Sequence, residues 1–283
     1  MSKVLACIDG SYYGASVCDH AAWIANLLGA DVELLHALDR AADAVQSDLS
    51  GSIGLGGSDE LLEKLTQLDE DRAHLRMERG KAILQAAADR IGAAGVATVT
   101  TRLRHGGLVD TVHEVEGDAR LVVLGKRGEH ADFAKMHLGG SVEQVIRASA
   151  LPVLVASRAF RPIRRVLVAY DGSDSADRGL DFILAQARSP DMELHVIMAG
   201  HPRHGDVSLA RVRARVQDWP GSVTVDHRPG DPETVIGDHV RTAGIDLLVM
   251  GAYGTSPIRR FVVGSTTTAL IRTCQVPALL FRV

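Results

Sequence analysis

"KVLACIDGS" (residues 3–11) returns as "RVLVAYDGS" (165–173), and this recurrence decides how the rest of the chain reads. Each copy is an apolar run closed by Asp-Gly-Ser, the pattern of a short buried strand followed by a turn. Its neighbours recur in the same order. "ADVELLHAL" (30–38) matches "PDMELHVIM" (190–198), and "RLVVLGKRG" (120–128) matches "DLLVMGAYG" (246–254). "GGSVEQVIRASALPVLVA" (139–156) aligns without a gap on "GSTTTALIRTCQVPALLF" (264–281). Landmarks repeating at this distance predict a duplicated domain, not a short solenoid unit. The basic segment "SRAFRPIRR" (157–165) separates the copies, giving expected domains 1–158 and 159–283.

Within each copy, short apolar strands alternate with amphipathic stretches such as 14–28, 174–188 and 232–244. The first copy offers "VLACI", "VELLHAL", "VATVTTRL", "LVVLG" and "PVLVA"; the second offers "VLVAY", "MELHVIM", "SVTVDHR", "LLVMG" and "PALLF". Near-continuous apolar strands separated by helices predict parallel sheets covered on both faces. The expected fold is α/β, with two tandem doubly wound domains. Each has a five-stranded parallel sheet in the order 3-2-1-4-5, flanked by helices. A chain that is 46% hydrophobic but only 4% aromatic suits such Val/Leu/Ala-rich cores. The last strands, at 152–156 and 277–281, are apolar and sit at sheet edges, so they are expected to meet at the domain interface.

Composition narrows the partners. A net charge of −4 gives no basic footprint for nucleic acid. No apolar run approaches the ~18–20 residues of a membrane span. The N-terminus enters a strand at once, without the apolar core of a secretory leader. Cys7, Cys18 and Cys274 are scattered and form no metal-ligand spacing, which suits reduced thiols and a cytoplasmic location. His36 near a strand end reads as a packed or capping histidine.

The copies differ most after their second strands. The first carries a long insertion, residues 39–95, against a short crossing at 199–221 in the second. From Asp59 to Ile91 the insertion reads as one extended helix, with Ser58 as N-cap and Leu61, Leu65, Leu68, Leu75 and Ile83 among its apolar positions. "GSIGLGG" (51–57) lacks the strand-to-helix setting of a dinucleotide fingerprint and reads as a connector, with a lid as the alternative.

In open parallel sheets, ligands bind beyond the carboxyl ends of strands where the strand order reverses. With order 3-2-1-4-5 the first and fourth strands end side by side, at Asp9 and Gly125 or at Asp171 and Gly251. An aspartate there can accept hydrogen bonds from ribose hydroxyls. A glycine loop and the helix after it can present N–H groups to phosphates.

"VLVAYDGS", "GDP" (230–232), "DLLVMGAYG" and the spacing Gly251-x2-Gly254-x9-Gly264-Ser265 resemble the universal stress protein family, and the resemblance covers both halves. It implies a cytoplasmic stress-response protein that binds ATP; bound Mg²⁺ is what a slow ATPase would need in addition, and the signalling partner is unknown. It also implies pairing through the last strands, within this chain or in a homodimer. By position, Asp171 would contact ribose, and Ala169 and Ile197 would line the adenine pocket. Gly251, Gly254, Gly264, Ser265 and Thr266 would cradle phosphates, with Arg259 and Arg260 nearby.

The first domain departs from that pattern. Its matching positions are Asp9, Ala37, Gly125, Gly128, Gly139, Gly140 and Ser141, with ten residues rather than nine between Gly128 and Gly139 and Gly140 in the serine place. Glu129 and Asp132 would repel a triphosphate, while Lys126, Arg127 and Lys135 would attract one. A different ligand, a weaker nucleotide site and no site all remain open. Three functions compete: an ATP-dependent switch or sensor, a slow Mg²⁺-dependent ATPase, and a scaffold that binds no nucleotide. No residue matches a Walker A loop or a catalytic triad, so the switch leads and no catalytic residue or protein metal ligand is assigned.

Overall fold

The computed structural model describes residues 2–38, 59–128, 139–187, 189–200, 205–252 and 265–282. In the first half the elements are β1 (Lys3–Cys7), α1 (Gly14–Leu28), β2 (Asp31–Leu38), α2 (Asp59–Ala93), β3 (Val99–His105), α3 (Leu108–Val115), β4 (Ala119–Gly125), α4 (Gly140–Ala148) and β5 (Val153–Ala156). The second half continues with β6 (Arg165–Ala169), α5 (Asp174–Gln186), β7 (Glu193–Ala199), α6 (Gly205–Val216), β8 (Val223–Arg228), α7 (Pro232–Thr242), β9 (Leu247–Gly251), α8 (Ser265–Thr273) and β10 (Ala278–Phe281). The connector 51–57 and Ser58 lie outside the described residues.

The described strands form one sheet in the order β3-β2-β1-β4-β5-β10-β9-β6-β7-β8. Each half therefore has the expected 3-2-1-4-5 order, with parallel pairing throughout. The halves join where the last strands meet, as expected. β5 and β10 pair antiparallel, with Leu154 opposite Leu279.

Both sheet faces are covered, which is why the strands read as unbroken apolar runs. Val4, Ala6 and Ile8 face a core built with α1, α2, α5 and α6. Leu5 and Cys7 face the other, built with α3, α4, α7 and α8. The apolar residues Val17, Ala21, Ile24, Ala25 and Leu28 fall on one side of α1 and are buried. That helix stops at Gly29, whose φ of 58° and backbone N–H bonds to Ala25 and Asn26 carbonyls close it with a left-handed cap.

Among the described residues, it is the carboxyl part of α2 that packs on the sheet. Gly80 lets the helix approach β2 and β3, because a Cβ there would sit 2.8 Å from Leu103 Cδ1 and 2.9 Å from His36 Cδ2. Leu84, Ala87 and Ile91 are buried beyond it. Of the earlier leucines, Leu65 is half-buried, Leu68 and Leu75 are 51% and 67% exposed, and the side chain of Leu61 lies outside the described residues. No described helix is long and apolar enough to cross a membrane.

Asp177 on α5 ties the second half's helical layer to the end of β6. It accepts from Tyr170 Oη at 2.7 Å and from Arg215 at 2.5 Å, and Arg211 binds its other oxygen. Burial alone would raise its pKa, but the bonds from Tyr170 and Arg215 and the charges of both arginines hold it below the ordinary value of 3.8. A carboxylate with a depressed folded pKa contributes stability above its unfolded value and loses it as pH falls through the folded one. Asp177→Asn should therefore lower the urea midpoint at neutral pH, and its deficit relative to wild type should shrink as the pH drops below ~4.

A steric constraint gives a second expectation. A Cβ on Gly221 would lie 2.2 Å from the Met192 carbonyl oxygen, while one on Gly237 inside α7 would meet nothing within 4 Å. Gly221→Ala should cost about 1–3 kcal/mol, as overpacking does. Gly237→Ala should add roughly 0.5–1 kcal/mol through helix propensity. Urea denaturation of both variants checks the pair.

Candidate functional site

β6 and β9 are parallel neighbours, with Ala169 opposite Met250, so Asp171 and Gly251 emerge side by side at one edge of the sheet. Asp171 is exposed, and its Oδ1 accepts from Ser173 N at 3.0 Å and Ser173 Oγ at 2.5 Å. Among the described residues its Oδ2 has no hydrogen-bond partner. Gly172 turns the chain with a φ of 78°, and Ser173 then caps α5 by accepting from Ala176 N. The aspartate is thus held from one side, with an acceptor oxygen left over.

Thr267, in the first turn of α8, donates from Oγ1 to the Gly251 carbonyl at 3.1 Å. This bond docks the amino end of α8 on the end of β9. It places Ser265, exposed, and Thr266, half-buried, at that edge. The first N–H groups of a helix lack intrahelical partners and carry its partial positive charge, which suits an anion. Gly254, Gly264, Arg259 and Arg260 lie outside the described residues.

The two adenine-pocket expectations fare differently. Ala169 is half-buried at the end of β6. Ile197 has no exposed surface, and its carbonyl accepts from Tyr170 N at 3.0 Å. Its side chain belongs to the core beneath the edge. The next residue on that face of β7 is Ala199, which is half-buried.

Sheet register shows how β2 and β7 correspond. Cys7 lies opposite Leu35 and Ala169 opposite Ile197, and Ile8 N donates to Leu35 O as Tyr170 N does to Ile197 O. The counterpart of Ile197 is therefore Leu35, and Ala37 corresponds to Ala199. Matching "ADVELLHAL" to "PDMELHVIM" by resemblance slipped β2 against β7 by two residues. In an alternating strand such a slip keeps the face and moves the position along it.

The first half assembles the same parts differently. Asp9 Oδ1 accepts from Ser11 N at 3.1 Å, and a Cβ on Gly128 would lie 3.1 Å from Asp9 Oδ2. Gly139 N donates to Lys126 O at 3.2 Å, bringing Gly139, Gly140 and Ser141 at the start of α4 to the loop. A Cβ on Gly125 would strike Tyr13 Cβ at 2.7 Å, so that glycine makes room for Tyr13. Glu129, Asp132 and Lys135 lie outside the described residues.

Lys126 corrects an expectation. Instead of serving as a phosphate-attracting charge on the loop, it is buried and donates to the Cys274 carbonyl at the carboxyl end of α8. Burial pushes its pKa down to about 8, against the opposing effect of Cys274. The helix end offers its ammonium an acceptor and a partial negative charge.

"GDP" (230–232) acts locally as a helix start: Asp231 Oδ2 accepts from Thr234 N at 3.0 Å, and Pro232 opens α7. His36 is packed as expected, its Nδ1 2.7 Å from Ile8 O. One pair escaped the sequence reading. His239 Nε2 lies 3.0 Å from His195 Nδ1, and Arg228 lies 2.8 Å from His239 Nδ1. The arginine can only donate, so His239 accepts there and donates to His195. Burial first, then the Arg228 charge, lowers His239 to about 4. Among the described residues, no group of three or more His, Cys, Asp or Glu side chains could hold a metal ion.

Comparison with known proteins agrees with this architecture. The model of the universal stress protein family matches residues 1–157 and 201–282. A universal stress protein of Synechocystis is 38% identical over 287 residues, covering 100% of both chains. A Mycobacterium tuberculosis universal stress protein is 27% identical, covering 69% of this chain and 73% of its own. The crystal structure of a universal stress protein from Archaeoglobus fulgidus superposes with a TM-score of 0.73 at 21% identity, covering 99% of this chain and 98% of the other. The chain belongs to the universal stress protein family.

Proposed function

We propose that the second half binds an adenine nucleotide, ATP in the first place, and that the protein is a cytoplasmic stress-response switch or sensor rather than an efficient enzyme. The observation that carries this reading is the pairing of Asp171, with its Oδ2 left over, with the amino end of α8 docked on Gly251. In it, Asp171 accepts from ribose hydroxyls, and Ala169 and Ala199 flank the base above the buried Ile197. Gly251, Gly254, Gly264, Ser265 and Thr266 surround the phosphates. Mg²⁺ would arrive as the triphosphate's counter-ion, without an assigned protein ligand. A downstream protein would read the bound state.

The first half, residues 1–158 in the proposed division, is the weaker site. Tyr13 packs on Gly125, and Lys126 is committed to the other half. Calorimetry on the full chain should show that Gly254→Val weakens ATP binding at least about tenfold, or ~1.4 kcal/mol. Gly128→Val should leave it nearly unchanged. The opposite pattern would transfer the nucleotide to the first half.

The switch reading also sets turnover. Backbone donors, hydroxyls and one ribose-side carboxylate hold a nucleotide without a residue that orients an attacking water. Steady-state phosphate release with Mg²⁺ and saturating ATP should fall well below the roughly 1–1000 per second of ordinary enzymes. A rate inside that range, lost in Ser265→Ala, would make the protein an ATPase.

A further inference from the structure

A chain of polar side chains runs beneath α7 and ties it to three strands. Arg228 of β8 donates to His239 Nδ1 at 2.8 Å, and His239 Nε2 lies 3.0 Å from His195 Nδ1 on β7. His195 Nε2 stands 3.0 Å from Glu193 Oε1, and the other oxygen of Glu193 accepts from Arg165 of β6 at 3.1 Å. Arg165 also donates to the Ala243 carbonyl at the end of α7. Both imidazoles are buried, so water does not stand in for a lost partner.

This chain holds two ring protons and has no room for a third. Arg228 can only donate, so His239 Nδ1 stays bare. The contact between the rings takes one proton, on His239 Nε2. The neutral His195 then carries its own proton on Nε2, beside Glu193. A third proton would enter at His239 Nδ1, against Arg228, or at His195 Nδ1, against the His239 N–H. Either entry turns a buried hydrogen bond into two donors facing each other.

The surrounding charges do not relieve this. Asp226 of β8 is paired with Arg228 at 3.0 Å, and on α7 Asp238 pairs with Arg241 at 2.9 Å. The charged residue of α8, which packs on α7, is the exposed Arg272. Burial first, then the Arg228 charge, holds His239 at about 4, below its ordinary 6.5. Between those values an opened α7 binds more protons than a closed one. The closed form is therefore fully favoured above pH ~6.5 and loses ground as the pH falls toward 4.

The first half supplies the comparison. Thr100 and Thr224 face Glu33 and His195 across the matching strand pairs, so Glu33 stands in the place of His195. The caps Gly107 and Asp231 set Val115 in the place of His239. Glu33 accepts from Lys3 at 2.5 Å and from Arg102. Burial opposes its charge, but these two cations hold its pKa below the ordinary 4.5. That cluster stays charged across the range in which the histidine pair takes up a proton.

We propose that the His195–His239 pair is an acid-sensitive latch: neutral, it clamps α7 on the sheet, and a proton taken up by the pair releases α7 while α3 of the first half stays closed. Acidification is the signal that such a latch reads.

Amide hydrogen exchange of the full chain, followed by nuclear magnetic resonance as protection factors at pH 7 and pH 5, tests this. Protection within 236–242 should fall at least about tenfold on acidification, and protection within 108–115 should change by less than about twofold. At pH 7, long-range nitrogen–proton correlations should show both rings neutral with the proton on Nε2. Replacing both histidines together, His195→Leu with His239→Leu, should abolish the α7 response. If that double variant does not fold, Arg228→Gln gives the second reading. Its amide oxygen accepts from a protonated His239, so the response should shrink to less than about threefold. An α7 unchanged at pH 5, an equal loss in α3, a full response in either variant, or a charged ring on either histidine at pH 7 would each overturn the proposal.

Discussion

The antiparallel meeting of β5 and β10 is the contact on which the rest depends. Each is a four-residue strand, "VLVA" or "ALLF", buried at every position. A parallel sheet ending in such a strand exposes both an apolar row and unpaired backbone groups. Each half ends this way, and each satisfies the other. Joining the two edges leaves β3 and β8 as the outer strands of the described sheet, and both are rich in polar residues: "VTTRLRH" and "VTVDHR".

The same seam exchanges two cations. Lys126 from the first half reaches the carboxyl end of α8 in the second. Arg282 from the second donates to the Arg147 and Ser149 carbonyls at the carboxyl end of α4 in the first. Helix ends leave carbonyls without intrahelical partners and concentrate partial negative charge, so each cation answers a need of the opposite half. The two are not symmetry mates, since Lys126 corresponds to Ala252 and Arg282 to Ser157. One solution was reached twice with different residues.

What the sequence made legible follows from how strongly local physics constrained it. Strand order was legible because the duplication repeats and both sheet faces demand apolar runs. The 14–28 helix was legible to its ends because Gly29 closes it. The β2 register was not, since two stretches rich in Leu, Val and Ile match nearly as well two residues apart. What resolves them is the backbone pairing of Leu35 and Ile197 with Ile8 and Tyr170. Leu68 and Leu75 continue a helical pattern, but a pattern cannot say where a 35-residue helix leaves the sheet. The role of Lys126 was hidden because its acceptor lies 148 residues away.

One short helix therefore links the two candidate loops. The amino end of α8 is held to Gly251 by Thr267, and its carboxyl end accepts from Lys126, the residue after Gly125. Thr267 and Cys274 are seven residues apart, so at 1.5 Å per residue these contacts are separated by only about 10 Å. Negative charge at the amino end and an ammonium at the carboxyl end both favour the same helix dipole. The duplication thus placed the two loops on one electrostatic element. A displacement of α8 along its axis moves the carbonyl to which the first half's loop is tied.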